Sequence, residues 1–504
     1  MPINTSVPRS PGWWAEKLGN ALWRRRTGHG WSNTTAPHRR GRPGLDLLQS
    51  YVDGDPPLPH VADGWKAALW PYIRQARMNY AELVKQAPLD RMGLLGFGTA
   101  VDDDRSGDDA AAELFDANDL GLKFLEAAGH MLTLGDGYMM VGRPPGSETP
   151  LITAEDPRET ITAEDPATGR TIAGLKRVRD EWDARDLVYV LTPGRVDVAV
   201  RKGRSTLDGG PVSFGLAGDQ WSWDEKLSGS FPAGFEDLLP LHRFRNRNGV
   251  GEFEPHLDVL DRINDTIFDR LIIQKYQAMR QRAAIGLPDV YPEGHPRAGQ
   301  EIDYADAFLA DPGAFWQMPP GVTMWESSPF DFGPIRLLVK DDAEGLCAVT
   351  ATPLYYTVPD AASGSAEGAS TQREAFIYRV ENRRAHSRSP LAGTMADAFR
   401  MDGDTARAVR RRIRPLWAPA ERHSLTERMS AAAQAKAAGL PQESVYTDVM
   451  GYSPRDLPRL QAERARDLLY APLVPELTPA PQPAGTAART PAAPRRVPAA
   501  ELEA

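Results

Sequence analysis

Residues 352–387 read Thr352-Pro-Leu-Tyr-Tyr-Thr-Val-Pro-Asp-Ala-Ala-Ser-Gly-Ser-Ala-Glu-Gly-Ala-Ser-Thr-Gln-Arg-Glu-Ala-Phe-Ile-Tyr-Arg-Val-Glu-Asn-Arg-Arg-Ala-His-Ser387. An irregular Pro/Gly/Ser segment opens directly onto a helix that runs from Ser370 to about Ser387. Pro390 is expected to kink or end that helix before residues 392–401 continue it. The segment carries Asp360 and Glu367, and there is no Lys or Arg between Cys347 and Gln372.

Working upstream, Pro334 suits the first turn of a helix over residues 335–349. Residues 256–284 place Leu257, Leu260, Ile263, Ile267, Leu271 and Ala278 on one stripe. At about 1.5 Å per residue they make a rod about 40 Å long. Gly286-Leu-Pro288 stops the rod, and the Pro/Gly/aromatic-rich residues 288–333 read as a compact α/β excursion that returns at Pro334. Before the rod, Tyr138-Met-Met-Val141, Leu151-Ile-Thr153, residues 171–178, 187–191 and 195–200 are short strand-like runs, which predicts a β-rich insert over 136–250. Residues 45–135 are mainly helical: Asp63 caps a short helix, Gly93 to Gly98 mark a tight turn, and residues 118–134 form a periodic helix stopped by Gly135-Asp-Gly137.

Downstream, residues 405–470 are expected to be helical, with Ser424-Leu-Thr-Glu427 as a capping box, Gly439-Leu-Pro441 as a stop and a last helix to about Tyr470. The Pro/Ala-rich residues 471–504 read as a disordered tail. Residues 1–44, rich in Trp and Arg without sustained periodicity, read as a poorly ordered basic arm with Arg9, Lys17, Arg24, Arg25, Arg26, Arg39, Arg40 and Arg42 against only Glu16.

A chain of 504 residues is too long for one ordinary core, so several structural regions are expected. Its composition, 41% hydrophobic and 25% charged, is that of a folded globular protein. It has no apolar run of ~18 residues, so no membrane-spanning helix is expected. The amphipathic segment at residues 13–26 lacks a signal-peptide core, so secretion is not indicated. A single cysteine, Cys347, excludes an intramolecular disulfide and a cysteine-built zinc site. A net charge of -9 argues against tight DNA binding by the molecule as a whole and leaves local contact open.

The motifs point away from catalysis. Asp102, Asp104, Ser106 and Glu113 stand at the spacing of an EF-hand calcium loop. Position eight is Asp109 where a buried apolar residue belongs and the preceding segment is a poor helix, so a solvated acidic loop, and no metal, is the expectation. Gly169 to Gly174 has the spacing of a phosphate loop but lacks the adjacent Lys-Ser/Thr. No His-Glu-x-x-His or Gly-x-Ser-x-Gly occurs, the histidines are scattered, and neither an enzyme nor a cofactor is expected. Arg407, Arg410, Arg411, Arg412 and Arg414 form a basic cluster that suits phosphates as well as it suits a solvated helix face.

Taken in order, these segments resemble the portal proteins of long-tailed bacteriophages. Leu47-Leu48 with Tyr51-Val-Asp-Gly54, Asn79-Tyr-Ala-Glu-Leu-Val84, Gly135-Asp-Gly-Tyr138 and Val449-Met-Gly-Tyr-Ser-Pro-Arg-Asp-Leu457 carry the resemblance, which spans residues 45–470. It implies a mixed α+β portal fold: wing over 45–252, first stem helix 253–285, clip 286–333, second stem helix 334–349, tunnel loop 350–369, wing helix 370–403 and helical crown 404–470. It further implies a ring, usually of twelve subunits, at one capsid vertex of a virion assembled in host cytoplasm. Double-stranded DNA would pass through it, with the terminase large subunit, major capsid protein and scaffold, and a head-tail adaptor as partners. Tyr355, Tyr356, Thr357, Val358, Asp360, Ser363, Gly364, Ser365 and Glu367 would face the channel. A capsid scaffold or adaptor without a channel is the alternative, and a packaging nuclease or ATPase a more distant one, because neither clustered acids on strands nor a complete phosphate loop is found. Pro390 and residues 1–44 depart from the family pattern.

Overall fold

The computed structural model describes residues 3–28, 42–59, 63–101, 107–144, 146–203, 221–278, 282–304, 321–356, 366–421, 425–452 and 456–470. It is mixed α and β, and divides into residues 1–454 and 455–504.

The chain opens with a helix where an unstructured arm was expected. In α1 (Pro11–Thr27) Ser10 accepts from the Trp13 amide at 3.2 Å, Pro11 occupies the first turn, and Gly28 ends the helix in the left-handed region. Ala15, Leu18 and Leu22 are buried against Ile161, Leu175, Val188 and Val190 of a β-sheet. The arm expectation is therefore corrected for residues 11–27. Its Trp and Arg content masked a three- and four-residue stripe of small and aliphatic side chains. Residues 29–41 lie outside the described ones.

After α2 (Leu45–Val52), α3 (Asp63–Gln75) and α4 (Tyr80–Leu89) comes strand β1 (Leu94–Gly98), where the glycines had been read as a tight turn. The next helices are α5 (Asp109–Ala117) and α6 (Leu120–Leu134). Gly135 closes α6 at φ +80°, and a Cβ there would stand 2.2 Å from the Gly249 carbonyl oxygen, so this turn requires glycine.

Strands β2 (Asp136–Gly142), β3 (Leu151–Glu155), β4 (Thr160–Glu164), β5 (Thr171–Asp180), β6 (Arg185–Thr192), β7 (Arg195–Lys202), β8 (Ser222–Ser230) and β9 (Leu241–Arg245) make the β-rich insert. β4 to β8 form a five-stranded antiparallel meander that receives α1, and β3-β2-β9 a three-stranded sheet. β4, β8 and β9 escaped the sequence reading. β4 and β9 are only five residues long, and β8 is mostly polar and exposed.

The rod is shorter than its pattern. α7 spans Leu257–Ala278, and Arg282–Ile285 leaves the helix to become β10, which pairs with β11 (Thr323–Glu326) in register Arg282↔Glu326. The described part of the 286–333 excursion is this hairpin, turns and a Val290–Glu301 bridge, with no α-helix among the described residues.

α8 (Gly333–Val349) runs back beside α7, with Pro334 in its first turn. Next comes α9 (Ala366–Asp402), which begins four residues before Ser370 and passes through Pro390 unbroken. A proline inside a helix costs about 3 kcal/mol. Here Phe376, Val380, Leu391, Met395 and Phe399 lie on both sides of it in one core with Phe124, Met131, Met139 and Phe244. Burial of that whole face outweighs the local cost and overturns the expected break.

The segment after α9 is not helical as expected. Arg410–Arg412 is a single 3-10 turn, and Arg414–Trp417 is β12, antiparallel to β1 with Leu94 opposite Trp417 and Gly98 opposite Arg414. α10 (Leu425–Ala437) and a π-helical turn, Val445–Val449, complete the first unit. The second unit contributes α11 (Leu457–Tyr470), and the tail expected over 471–504 lies outside the described residues.

Candidate functional site

The two antiparallel helices α7 and α8 form an arm with an unequal distribution of apolar contact. At its base Leu257, Leu260, Ile263 and Ile267 of α7 are buried with Leu346 of α8, and Arg262 donates to Asp342 at 2.7 Å. Further out, Leu337 and Leu338 of α8 are 53% and 56% exposed, and Ile285, Met324 and Trp325 of the β10–β11 hairpin are also open to solvent. Scattered exposed aliphatics need no explanation, but consecutive leucines on a helix and an apolar hairpin on one arm are an unfilled surface. A groove of about 540 Å³ between the helices is lined by Arg270, Gln274 and Arg336.

At the base of the arm one arginine gathers the ends of both helices. Arg379, on α9 and 7% exposed, meets the Glu252 carboxylate just before α7 at 2.8 Å. It also donates to the Thr350 carbonyl and, at 3.2 Å, to the Thr352 hydroxyl just after α8, and to the Val84 carbonyl of α4 at 3.1 Å. Arg383, one helical turn on, reaches the same carboxylate at 2.5 Å. Burial alone would raise the Glu252 carboxyl, but Arg379 and Arg383 outweigh it and hold it below the usual carboxylate range. Burial pulls Arg379 down in turn. The result is a paired, hydrogen-bonded buried charge cluster that fixes where the 350–356 segment leaves the arm.

That segment holds the first of the residues read as channel-facing. Tyr355 and Tyr356 stack at 4.8 Å between ring centroids in the 3-10 turn Leu354–Tyr356. Glu367 falls in the first turn of α9 rather than in a loop. Thr357, Val358, Asp360, Ser363, Gly364 and Ser365 lie outside the described residues.

The basic cluster divides. Arg407 is a structural residue: it pairs with Asp108 at 2.8 Å and Asp404 at 2.9 Å. Burial works to raise the Asp108 carboxyl, but bonds from Thr99, Arg407 and the Ala111 amide lower it on balance. Arg410 donates to the Ser389 hydroxyl at 2.7 Å, whereas Arg411, Arg412 and Arg414 are exposed and make no ion pair among the described residues. The fold adds Arg388 of α9, which the sequence reading missed because it lies 22 positions before Arg410. Arg388, Arg410 and Arg411 border an open groove of about 610 Å³ between α9 and the 409–413 turn. By contrast Arg384 is buried over the Trp417 ring, and burial pulls it down to about 10.

Of the residues at calcium-loop spacing, Asp102, Asp104 and Ser106 lie outside the described ones, and Glu113 sits within α5. Among the described residues no group of His, Cys, Asp or Glu could hold a metal ion, and no helix is long and apolar enough to cross a membrane.

No family model matches the chain, and no curated protein matches its sequence. Solved structures that align with it include the neck of a native gene transfer agent particle computed with C12 symmetry, at 13% identity and a TM-score of 0.38 over 81% of this chain and 99% of that one. The virion of a native gene transfer agent particle aligns at 12% identity and a TM-score of 0.39, over 86% and 98% of the two chains. The neck of an empty particle computed with C6 symmetry aligns at 13% identity and a TM-score of 0.40, over 77% and 92%.

Proposed function

We propose that this chain is a portal subunit: copies assemble into a ring at one vertex of a phage-type capsid and line a channel through which double-stranded DNA is packaged and ejected. The observation that carries the reading is the α7–α8 arm, clamped at its base by Arg379 and leading through residues 350–365 into the 37-residue α9. A ring is built from head-to-tail contacts between two different faces of each subunit. The exposed Leu337 and Leu338 supply surface that a neighbouring copy would cover.

A channel must pass a polyanion without retaining it, which suits a segment with Asp360 and Glu367 and no cation from 348 to 371. Motive force would come from a separate ATPase, and the β10–β11 end of the arm is the surface we assign to the terminase and later to a head-tail adaptor. Arginine in place of Asp360 should slow DNA translocation and leave assembly intact.

The test is negative-stain imaging with mass measurement of the purified protein. Rings with a central pore and about a dozen copies are expected. Poreless monomers or dimers at micromolar concentration would reject the channel and favour a scaffold or adaptor.

A further inference from the structure

We infer that the groove between α9 and the 409–413 turn is a docking site for the phosphate backbone of duplex nucleic acid. Most arginines in this protein that are drawn into the fold have a carboxylate: Arg25 and Arg243 have Asp136, Arg177 has Glu159, Arg379 and Arg383 have Glu252, and Arg407 has Asp108. The groove is different. Among the described residues Arg388, Arg410 and Arg411 line it and no acidic residue does, and Arg412 and Arg414 are exposed in the same stretch of chain. Arg388, Arg411, Arg412 and Arg414 make no hydrogen bond or ion pair among the described residues. In a chain of net charge -9, three guanidiniums around one groove with no acidic residue among its described lining make a local positive potential that attracts an anion.

The backbone holds these charges in place. Arg410 is anchored to α9 by its bonds to the Ser389 carbonyl and hydroxyl. Arg414 begins β12, fixed by its pairing with Gly98. The cations therefore project from a helix, an anchored turn and a strand rather than from a free tail, which lowers the ordering cost of binding.

The lining also favours one class of anion. Between the arginines the walls are Ala385, Ser389, Ala392, Val409 and Ile413, with no aromatic ring among the described residues on which an unpaired base could stack and none of the Trp and Tyr anchors that dominate protein interfaces. A surface that offers charge and little else suits a regularly charged backbone bound without sequence preference. The site does not rest on the channel reading, since a chain that never formed a ring would still carry it.

The experiment is fluorescence anisotropy of the full-length protein with a labelled random-sequence 30-base-pair duplex across a salt series, beside an Arg388→Gln/Arg411→Gln/Arg412→Gln variant and an Arg297→Gln control. These side chains are exposed, so circular dichroism should find the variants folded. Expected are binding at low salt with a log–log salt slope of about -4.5 for the wild type if all five arginines meet phosphates, and for the triple variant a loss of at least about tenfold with a slope shallower by about 0.9 per arginine removed. The control should match the wild type. Absence of wild-type binding at about 50 mM salt, or equal affinity and slope in the triple variant, would overturn the assignment. So would poly-glutamate that displaces the duplex at equal charge concentration, which would make the groove a site for an acidic protein segment. Imaging of the same triple variant keeps the two readings apart, because rings should persist when duplex binding is lost.

Discussion

Arg379 lies on α9, yet its guanidinium meets Glu252, which lies 127 positions earlier in the chain, at 2.8 Å. Through this pair, and through the bonds from Arg379 to Thr350 and Thr352, the helix that follows the 350–365 segment holds both roots of the α7–α8 arm.

Replacing Arg379 by Met should leave Glu252 buried with Arg383 and the Asn246 amide as its remaining partners, and the carbonyls of Val84 and Thr350 without the Arg379 donor. Removing one partner of a buried pair costs about 3–5 kcal/mol, and the retained Arg383 places this case near the lower end. Urea denaturation of the two proteins measures it, and a difference below about 1 kcal/mol would show that the cluster is not a clamp.

The same cluster gives a pH dependence of known sign. The folded Glu252 carboxyl titrates below its ordinary value of 4.5, so its contribution is fully present above that value and is lost as pH falls through the folded-state pKa. Thermal scans from pH 6 downward should show the wild type losing stability over that interval more steeply than Glu252→Gln. Parallel curves would contradict the paired state.

Docking of α1 is tested at Leu22, which is 1% exposed against the five-stranded sheet. Leu22→Ala should destabilise by about 2–5 kcal/mol. Trypsin cleavage after Arg24, Arg25 and Arg26 should be slow in the wild type and fast in Leu22→Asp. Rapid cleavage of the wild type would return these residues to an unstructured arm.

Gly393 faces the His242 ring, and a Cβ there would stand 2.6 Å from it, while His242 is held to Asp397 at 2.8 Å. Gly393→Ala should therefore cost about 1–3 kcal/mol by forcing α9 away from β9. An unchanged melting temperature would mean that the ring turns aside freely.

Assembly is tested on the open face of α8. Leu337→Asp with Leu338→Asp removes no internal contact of consequence, because both side chains are more than half exposed. The double variant should keep its melting temperature as a monomer and lose the oligomer in mass measurements. Rings that survive would place the subunit interface elsewhere.

Much of the chain was legible because its signals are local. The apolar spacing of residues 118–134 and its glycine stop correspond to α6, and Pro334 marks the first turn of α8. The strand runs at 171–178, 187–191 and 195–200 correspond to β5, β6 and β7. Short or polar strands such as β4, β8 and β9 carry little local signal, and two further errors share one physical source, which is that a neighbour distant in sequence outweighs the local preference. Core packing on both sides of Pro390 keeps α9 whole, and β12 supplies the partner that turns a glycine-rich run into β1.

Arginines show the division most clearly. A run such as 407–414 announces charge but not its use, since an arginine reads the same whether solvated, paired or waiting for an anion. Sequence alone determined the helical arm and most of the β-rich insert, through periodicity, proline and glycine. Only the tertiary structure decided that Arg379 and Arg407 are consumed by buried carboxylates while Arg388 joins Arg410 and Arg411 at an open groove, because ion pairing depends on distances across the fold and not along the chain.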